Sequence, residues 1–150
     1  MCKQALAAGY NKSLFERLVA IGWKPVRLHV QYRMHPCIAE FPSNTFYEGT
    51  LQNGVSIIDR AYGSLNFPWP VFGKPIFFYN TIGPEELSFS GTSYINRTEA
   101  MNVESIVTRF LKTGLKPTEI GIITPYEGQR SFIKCYMLNY GTLDINMYDQ

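Results

Sequence analysis

Two short stretches of this 150-residue chain bring together side chains that could do chemistry. The first is Gln31-Tyr32-Arg33-Met34-His35-Pro36, which sets an aromatic ring, a guanidinium and an imidazole side by side. The second is Thr124-Pro125-Tyr126, a hydroxyl and an aromatic ring just before a helical pattern. Arginine suits phosphate because its planar donors grip two oxygens at once. A helix N-terminus adds free N–H groups and a dipole that favours anions. Phosphate binding or phosphate chemistry is therefore the leading physical reading. The plainer alternative is a surface Tyr and Arg beside a helix start, with ordinary loop packing at Thr124 and Tyr126.

Both stretches need a scaffold to present them. Val26, Leu28 and Val30 alternate with Arg27 and His29, the pattern of a strand over 26–30. Pro36 can open a helix after it, lacking only an N–H that would be unpaired there. Ile38 and Phe41 continue that helix until Pro42, which is expected to interrupt or restart it, with Ser43-Asn44 as a second cap. Ile76-Phe77-Phe78-Tyr79 reads as a short buried strand, and Ile120-Gly121-Ile122-Ile123 as a parallel strand covered on both faces. Thr124 then stands at a strand end, as Gln31 does. In an open α/β sheet such ends point the same way and form the ligand edge.

Helix signals are clearer. Ser13-Leu14-Phe15-Glu16 is a capping box, and Gly22 with Pro25 supplies the stop. Asn96 caps a helix with Glu99 at its third position, and Ala100, Val103, Ile106, Val107, Phe110 and Leu111 form the buried stripe. Gly114 and Pro117 end it. A last helix places Phe132, Ile133, Tyr136, Met137 and Tyr140 on one side. Residues 48–73 lose periodicity and predict a functional loop. Residues 80–95 predict a flexible polar loop. Three strands alternating with helices give an α/β layered domain with a parallel sheet. Three strands are few for such a sheet, and Tyr148-Asp149-Gln150 ends without a stop signal, so the chain is expected to be one domain cut at its ends.

Composition excludes several classes. A formal charge of +2 is no electrostatic footprint for nucleic acid. No window reaches the roughly 18 apolar residues of a membrane span. Three separated cysteines indicate neither a disulfide framework nor a zinc site. A reducing, intracellular setting is expected, cytoplasmic with an optional nuclear pool. There is no Gly-x-x-x-x-Gly-Lys-Ser/Thr loop, no Gly-x-Gly-x-x-Gly and no Gly-x-Ser-x-Gly. His29 and His35 are read as structural.

The wording of the motifs resembles one family. Gln31 to Pro36 spells the signature of superfamily-one helicases of the up-frameshift type, the RNA helicases of nonsense-mediated mRNA decay. Phe41-Pro42-Ser43-Asn44, Phe46-Tyr47-Glu48-Gly49 and Leu51-Gln52-Asn53-Gly54-Val55 fit the same family. So do Gly91-Thr92-Ser93-Tyr94, Asn96 to Ala100, and Ile120 to Arg130. The resemblance implies a RecA-like fold of the P-loop NTPase type, with this chain part of the second of two lobes.

It also implies roles. Tyr32 would stack on the adenine of ATP, and Arg33 would act on the γ-phosphate as the catalytic arginine. Gln31 would orient the strand end within the same nucleotide site. Ser93, Thr124, Pro125 and Tyr126 would line the channel for single-stranded RNA or DNA. Mg²⁺ and the phosphate loop would belong to the first RecA-like lobe, the main partner, preceding Met1. A second γ-phosphate arginine would follow Gln150. Zinc would occur only in a family domain not represented in these residues. mRNA-decay factors would be further partners, and no membrane is implied. The activity implied is ATP hydrolysis coupled to movement along nucleic acid, with the fragment inactive alone. A non-catalytic RecA-like module binding RNA or protein is the alternative.

Overall fold

A computed structural model describes residues 2–61 and 65–142. The chain forms two compact units, Met1–Asp59 and Arg60–Gln150.

In the first unit, local signals set the helices. After a short helix α1 (Lys3–Ala7), helix α2 (Leu14–Ala20) starts at the expected capping box. The Glu16 N–H donates to Ser13 Oγ (3.1 Å), and the Ser13 N–H donates to Glu16 Oε2 (2.7 Å). That backbone bond, then the Ser13 hydroxyl, holds the Glu16 carboxyl below its ordinary value of 4.5. A depressed carboxylate stabilises the fold above its unfolded pKa and stops doing so as pH falls through its folded one. Amide protection in the first turn of α2 is thus expected to be level above pH 4.5 and to fade below it. Hydrogen exchange across that range checks this, and Glu16→Gln should remove the dependence.

Strand β1 (Val30–Gln31) pairs in parallel with β2 (Gln52–Asn53), Val30 opposite Gln52 and Gln31 opposite Asn53. The crossover between them is helix α3 (Pro36–Phe46). Arg27 fastens the approach to β1 onto the far end of this crossover. Its guanidinium lies over the Tyr47 ring at 5.3 Å and pairs with Glu48 at 3.4 Å. The expected strand over 26–30 is thus shortened to its last residue plus Gln31. Val26 and Leu28 are exposed, because β2 offers only two residues for pairing and no described residue covers that face. Pro42 does not interrupt α3, which runs through it. Proline removes one backbone bond and crowds the preceding turn; here both flanking turns stay helical.

In the second unit, strand β3 (Glu86–Leu87) pairs antiparallel with β4 (Tyr94–Ile95). The expected polar loop is thus a hairpin, turned where Gly91 adopts a positive φ of 70°. Helix α4 (Arg97–Lys112) begins at Asn96, whose Oδ1 accepts the Glu99 N–H at 3.0 Å, as its sequence predicts. Helix α5 (Glu127–Tyr140) packs along it. Ala100, Val107, Leu111, Ile133 and Met137 form the buried core, with Val103, Ile120 and Phe132 against it. Glu104 is buried beside this core and accepts from the Thr108 hydroxyl (2.7 Å) and the Thr142 N–H (3.1 Å).

Neither expected strand of this unit is paired among the described residues. Over 76–79 only Phe77 turns inward, joining Phe67, Trp69 and Phe110 in an aromatic cluster; Ile76, Phe78 and Tyr79 are exposed. Over 120–123, Ile120 packs on the core while Ile122 and Ile123 are exposed. A continuous apolar run reports the capacity to be covered on two faces, and a strand forms only when neighbours supply the ladder. The chain is therefore an α/β protein with one small parallel pair. The expected three-stranded parallel arrangement does not form among these residues.

Candidate functional site

The first motif stands where β1 ends, held by one side chain. Gln31 Oε1 accepts the N–H groups of Arg33 (2.9 Å) and Met34 (2.7 Å). Its Nε2 donates to Met34 O (2.9 Å) and to Asn53 Oδ1 on β2 (2.7 Å). An amide has two donor hydrogens and an acceptor oxygen, and all are used here. The strand end is thereby folded into a fixed turn between β1 and α3. Tyr32 and Arg33 sit on that turn, both exposed, Tyr32 by 64%. His35 is buried and caps α3, its Nδ1 accepting the Cys37 N–H at 3.1 Å. The imidazole is thus committed to structure.

The second motif lies in the other unit, at the N-terminus of α5. Tyr126 is the cap residue of that helix, and its N–H donates to Thr124 Oγ1 at 3.4 Å. The Tyr126 ring meets Tyr94 edge to face, 5.8 Å between centroids. Ser93 Oγ accepts the Gly128 N–H at 2.9 Å, satisfying a donor that the helix itself cannot. A serine hydroxyl that accepts in this way keeps its own proton to donate. Ser93, Thr124 and Tyr126 thus converge on one helix start, with Pro125 exposed between them. Gly128 is required there: a Cβ would stand 2.8 Å from Ser88 Cβ and 3.0 Å from Ser93 Oγ. In the first turn of α5, a hydrogen bond from Arg130 holds the Glu127 carboxyl below its ordinary value.

Gln129 joins the hairpin to the two helices, a role not predicted from the sequence. Its Oε1 accepts the Asn96 N–H (2.8 Å) and its Nε2 donates to Asn96 O (3.0 Å), in a buried reciprocal pair. The partners are 33 residues apart, so no local pattern marks the contact. Asn53 was legible only as half of an Asn-Gly turn signal, and its bond to Gln31 spans 22 residues. Among the described residues, no three His, Cys, Asp or Glu side chains converge on a metal site. No described helix is long and apolar enough to cross a membrane.

Comparison with known proteins identifies the family. The family described as "AAA domain" matches residues 10–149. The "Regulator of nonsense transcripts 1 homolog" of Arabidopsis thaliana is 61% identical over 150 residues, covering 100% of this chain and 12% of that protein. The "ATP-dependent helicase NAM7" of Saccharomyces cerevisiae is 53% identical over 146 residues, 97% of this chain and 15% of its own length. The "ATP-dependent helicase upf1" of Schizosaccharomyces pombe is 55% identical over 148 residues, 99% of this chain and 16% of its own. The chain thus spans 16% or less of these curated relatives. With the match running from residue 10 to residue 149, and with helicases of this kind as close relatives along the chain, this protein belongs to the AAA domain family.

Proposed function

We propose that this chain is part of the second RecA-like lobe of an ATP-dependent helicase of the regulator-of-nonsense-transcripts type. It contributes half of a nucleotide site and part of a nucleic-acid channel. The observation that carries this reading is the Gln31 clasp, which fixes Tyr32 and Arg33 together on an exposed turn at a strand end. Tyr32 offers a ring on which adenine can stack. Arg33 offers a planar fork for the γ-phosphate, where charge develops as the phosphoryl group transfers. The remaining phosphate contacts and Mg²⁺ fall to the first lobe, so the fragment alone does not hydrolyse ATP. The groove of about 220 Å³ beside 120–123, lined by Val107, Leu111, Ile120, Ile122, Ile133 and Met137 with Thr124, Arg130 and Lys134 at its polar part, fits this partial lobe. Further elements of a RecA-like sheet would cover it.

At the start of α5, the Ser93 and Thr124 hydroxyls and the Tyr126 ring suit sugar and phosphate contacts to single-stranded RNA. The same contacts serve DNA, since they position a strand and carry little base information. A nearly neutral segment can take part because these contacts are hydrogen bonds and ring faces. Action in mRNA surveillance belongs to the same proposal and is supported by the relatives' names; decay factors as partners and the cytoplasm as setting extend that proposal on the family resemblance.

The test is a double variant, Thr124→Ala with Tyr126→Ala, in the full-length protein. RNA affinity measured by fluorescence anisotropy should fall roughly tenfold, the loss of one ring-face contact and a hydroxyl contact. ATP affinity without RNA should be unchanged. Unaltered RNA affinity would remove the channel assignment.

A further inference from the structure

The position of Gly54 beneath the Tyr32 ring is a constraint that the sequence motifs do not express. Gly54 follows β2, and its N–H donates to Gln31 O at 2.8 Å, extending the β1–β2 ladder by one bond. A Cβ built on Gly54 would fall 2.2 Å from Tyr32 Cε1, 2.5 Å from Cδ1 and 2.7 Å from Cζ. Three atoms of one ring edge therefore lie against the bare glycine backbone. No side chain can occupy that place while the ring stays where it is. The φ of Gly54 is not in the left-handed region, so backbone conformation does not call for glycine here. The space under the ring does.

The neighbouring residue closes the other side of the same arrangement. Asn53 Oδ1 takes the second hydrogen of the Gln31 amide, so β2 holds the turn that carries Tyr32. The ring is thus seated from two directions, by the Gln31–Asn53 amide pair at its backbone and by Gly54 against its edge. A ring packed on one side and 64% exposed overall has its orientation set before any ligand arrives. Preorganisation of this kind strengthens binding by removing the entropy cost of ordering the side chain.

We propose that Gly54 is a positioning residue for nucleotide binding, acting through Tyr32 alone, by providing the flat backbone seat that fixes the ring for stacking on a purine base. This rests on the reading of Tyr32 as the adenine platform. The seat also predicts where the effect falls. A displaced ring weakens base binding, seen in the Kd of the nucleotide and the KM for ATP. It leaves Arg33 in place, so kcat at saturating ATP is retained.

The experiment uses the full-length protein and four forms: wild type, Gly54→Ala, Tyr32→Ala, and both together. Nucleotide affinity is read with a fluorescent ADP, turnover by steady-state ATPase, and the local fold by hydrogen exchange over residues 29–55. Gly54→Ala should weaken ADP binding roughly tenfold, close to the loss from Tyr32→Ala, at nearly constant kcat. The combined variant should bind no worse than Tyr32→Ala. Wild-type affinity in Gly54→Ala, or losses that multiply in the combined form, would overturn the proposal. If Gly54→Ala fails to fold, Tyr32→Ala should restore folding by removing the collision; failure to restore it would also overturn the seat. If Tyr32→Ala binds ADP normally, the adenine reading falls and the nucleotide role of Gly54 falls with it. Mutual suppression in hydrogen exchange would still establish the packing of ring on glycine, which separates the two failures.

Discussion

Arg33→Ala in the full-length helicase is expected to lower ATP turnover by about 10³-fold or more while leaving RNA affinity unchanged. The separation follows from how the residue is held. The Arg33 backbone N–H is bound by Gln31 Oε1 at 2.9 Å, so the turn is held at its backbone. Truncation at Cβ removes the donor fork and leaves the neighbouring ring and the β1–β2 pair intact. Arg33→Lys should recover little activity, because a point charge cannot replace two coplanar donors at a phosphoryl group. Steady-state ATPase assays with saturating RNA, paired with anisotropy titrations, check both halves. Turnover near the wild-type level would remove Arg33 from the reaction.

The second large effect is structural and lies in the other unit. Gln129→Ala should destabilise the start of α4 by about 2–4 kcal/mol, because it strips the partner from the buried N–H of Asn96, leaves the Asn96 C=O with the Ala100 N–H alone, and opens a cavity as well. Asn96 itself caps α4, so the loss reaches the Glu99 amide. Amides from Asn96 to Ala100 should exchange at least about 30-fold faster, the factor that 2 kcal/mol corresponds to. Gln129→Leu fills the volume and should recover only the packing part, since the Asn96 N–H stays unsatisfied. Because Tyr94 sits on the hairpin strand that Gln129 anchors and Ser93 directly precedes it, RNA affinity should fall with stability in both variants. Unchanged exchange in Gln129→Ala would show that the amide pair is not what holds hairpin to helix.

What could be read from the sequence was what local chemistry decides. The Ser13–Glu16 box, the Asn96 cap and the Gly114 stop each act within four residues, and the helices begin and end there. The buried stripe of α4 was visible because a helix repeats its face within its own length. Strands gave the opposite result. Residues 26–30, 76–79 and 120–123 have the composition of buried strands, yet pairing depends on distant segments, and only Val30 with Gln31 finds one among the described residues. The β3–β4 hairpin escaped notice for a related reason: two-residue strands are too short to show alternation.

The candidate site divides in the same way. Tyr32, Arg33, Thr124 and Tyr126 could be proposed from their residue types and flanking patterns. Gln31 was assigned to orient the strand end by the family resemblance, but the distant partners that complete the hold were not legible. The Gln31–Asn53 pair, the Gln129–Asn96 pair and the Ser93–Gly128 contact span 22 to 35 residues and leave no periodic trace. Gly54 is the sharpest case. In the sequence it looks like half of a turn, and only the structure shows a ring lying against it.

If this segment presents Tyr32 and Arg33 to ATP, photolabelling of the bound nucleotide site should find them. The full-length protein would be irradiated with 8-azido-ATP, digested, and the labelled peptide mapped by mass spectrometry. Label on Tyr32 or the adjoining 31–34 turn, suppressed by excess ATP and absent in Tyr32→Ala, is the predicted result. Efficient, ATP-competed labelling that never falls within residues 29–55 would show that Tyr32 and Arg33 do not face the nucleotide.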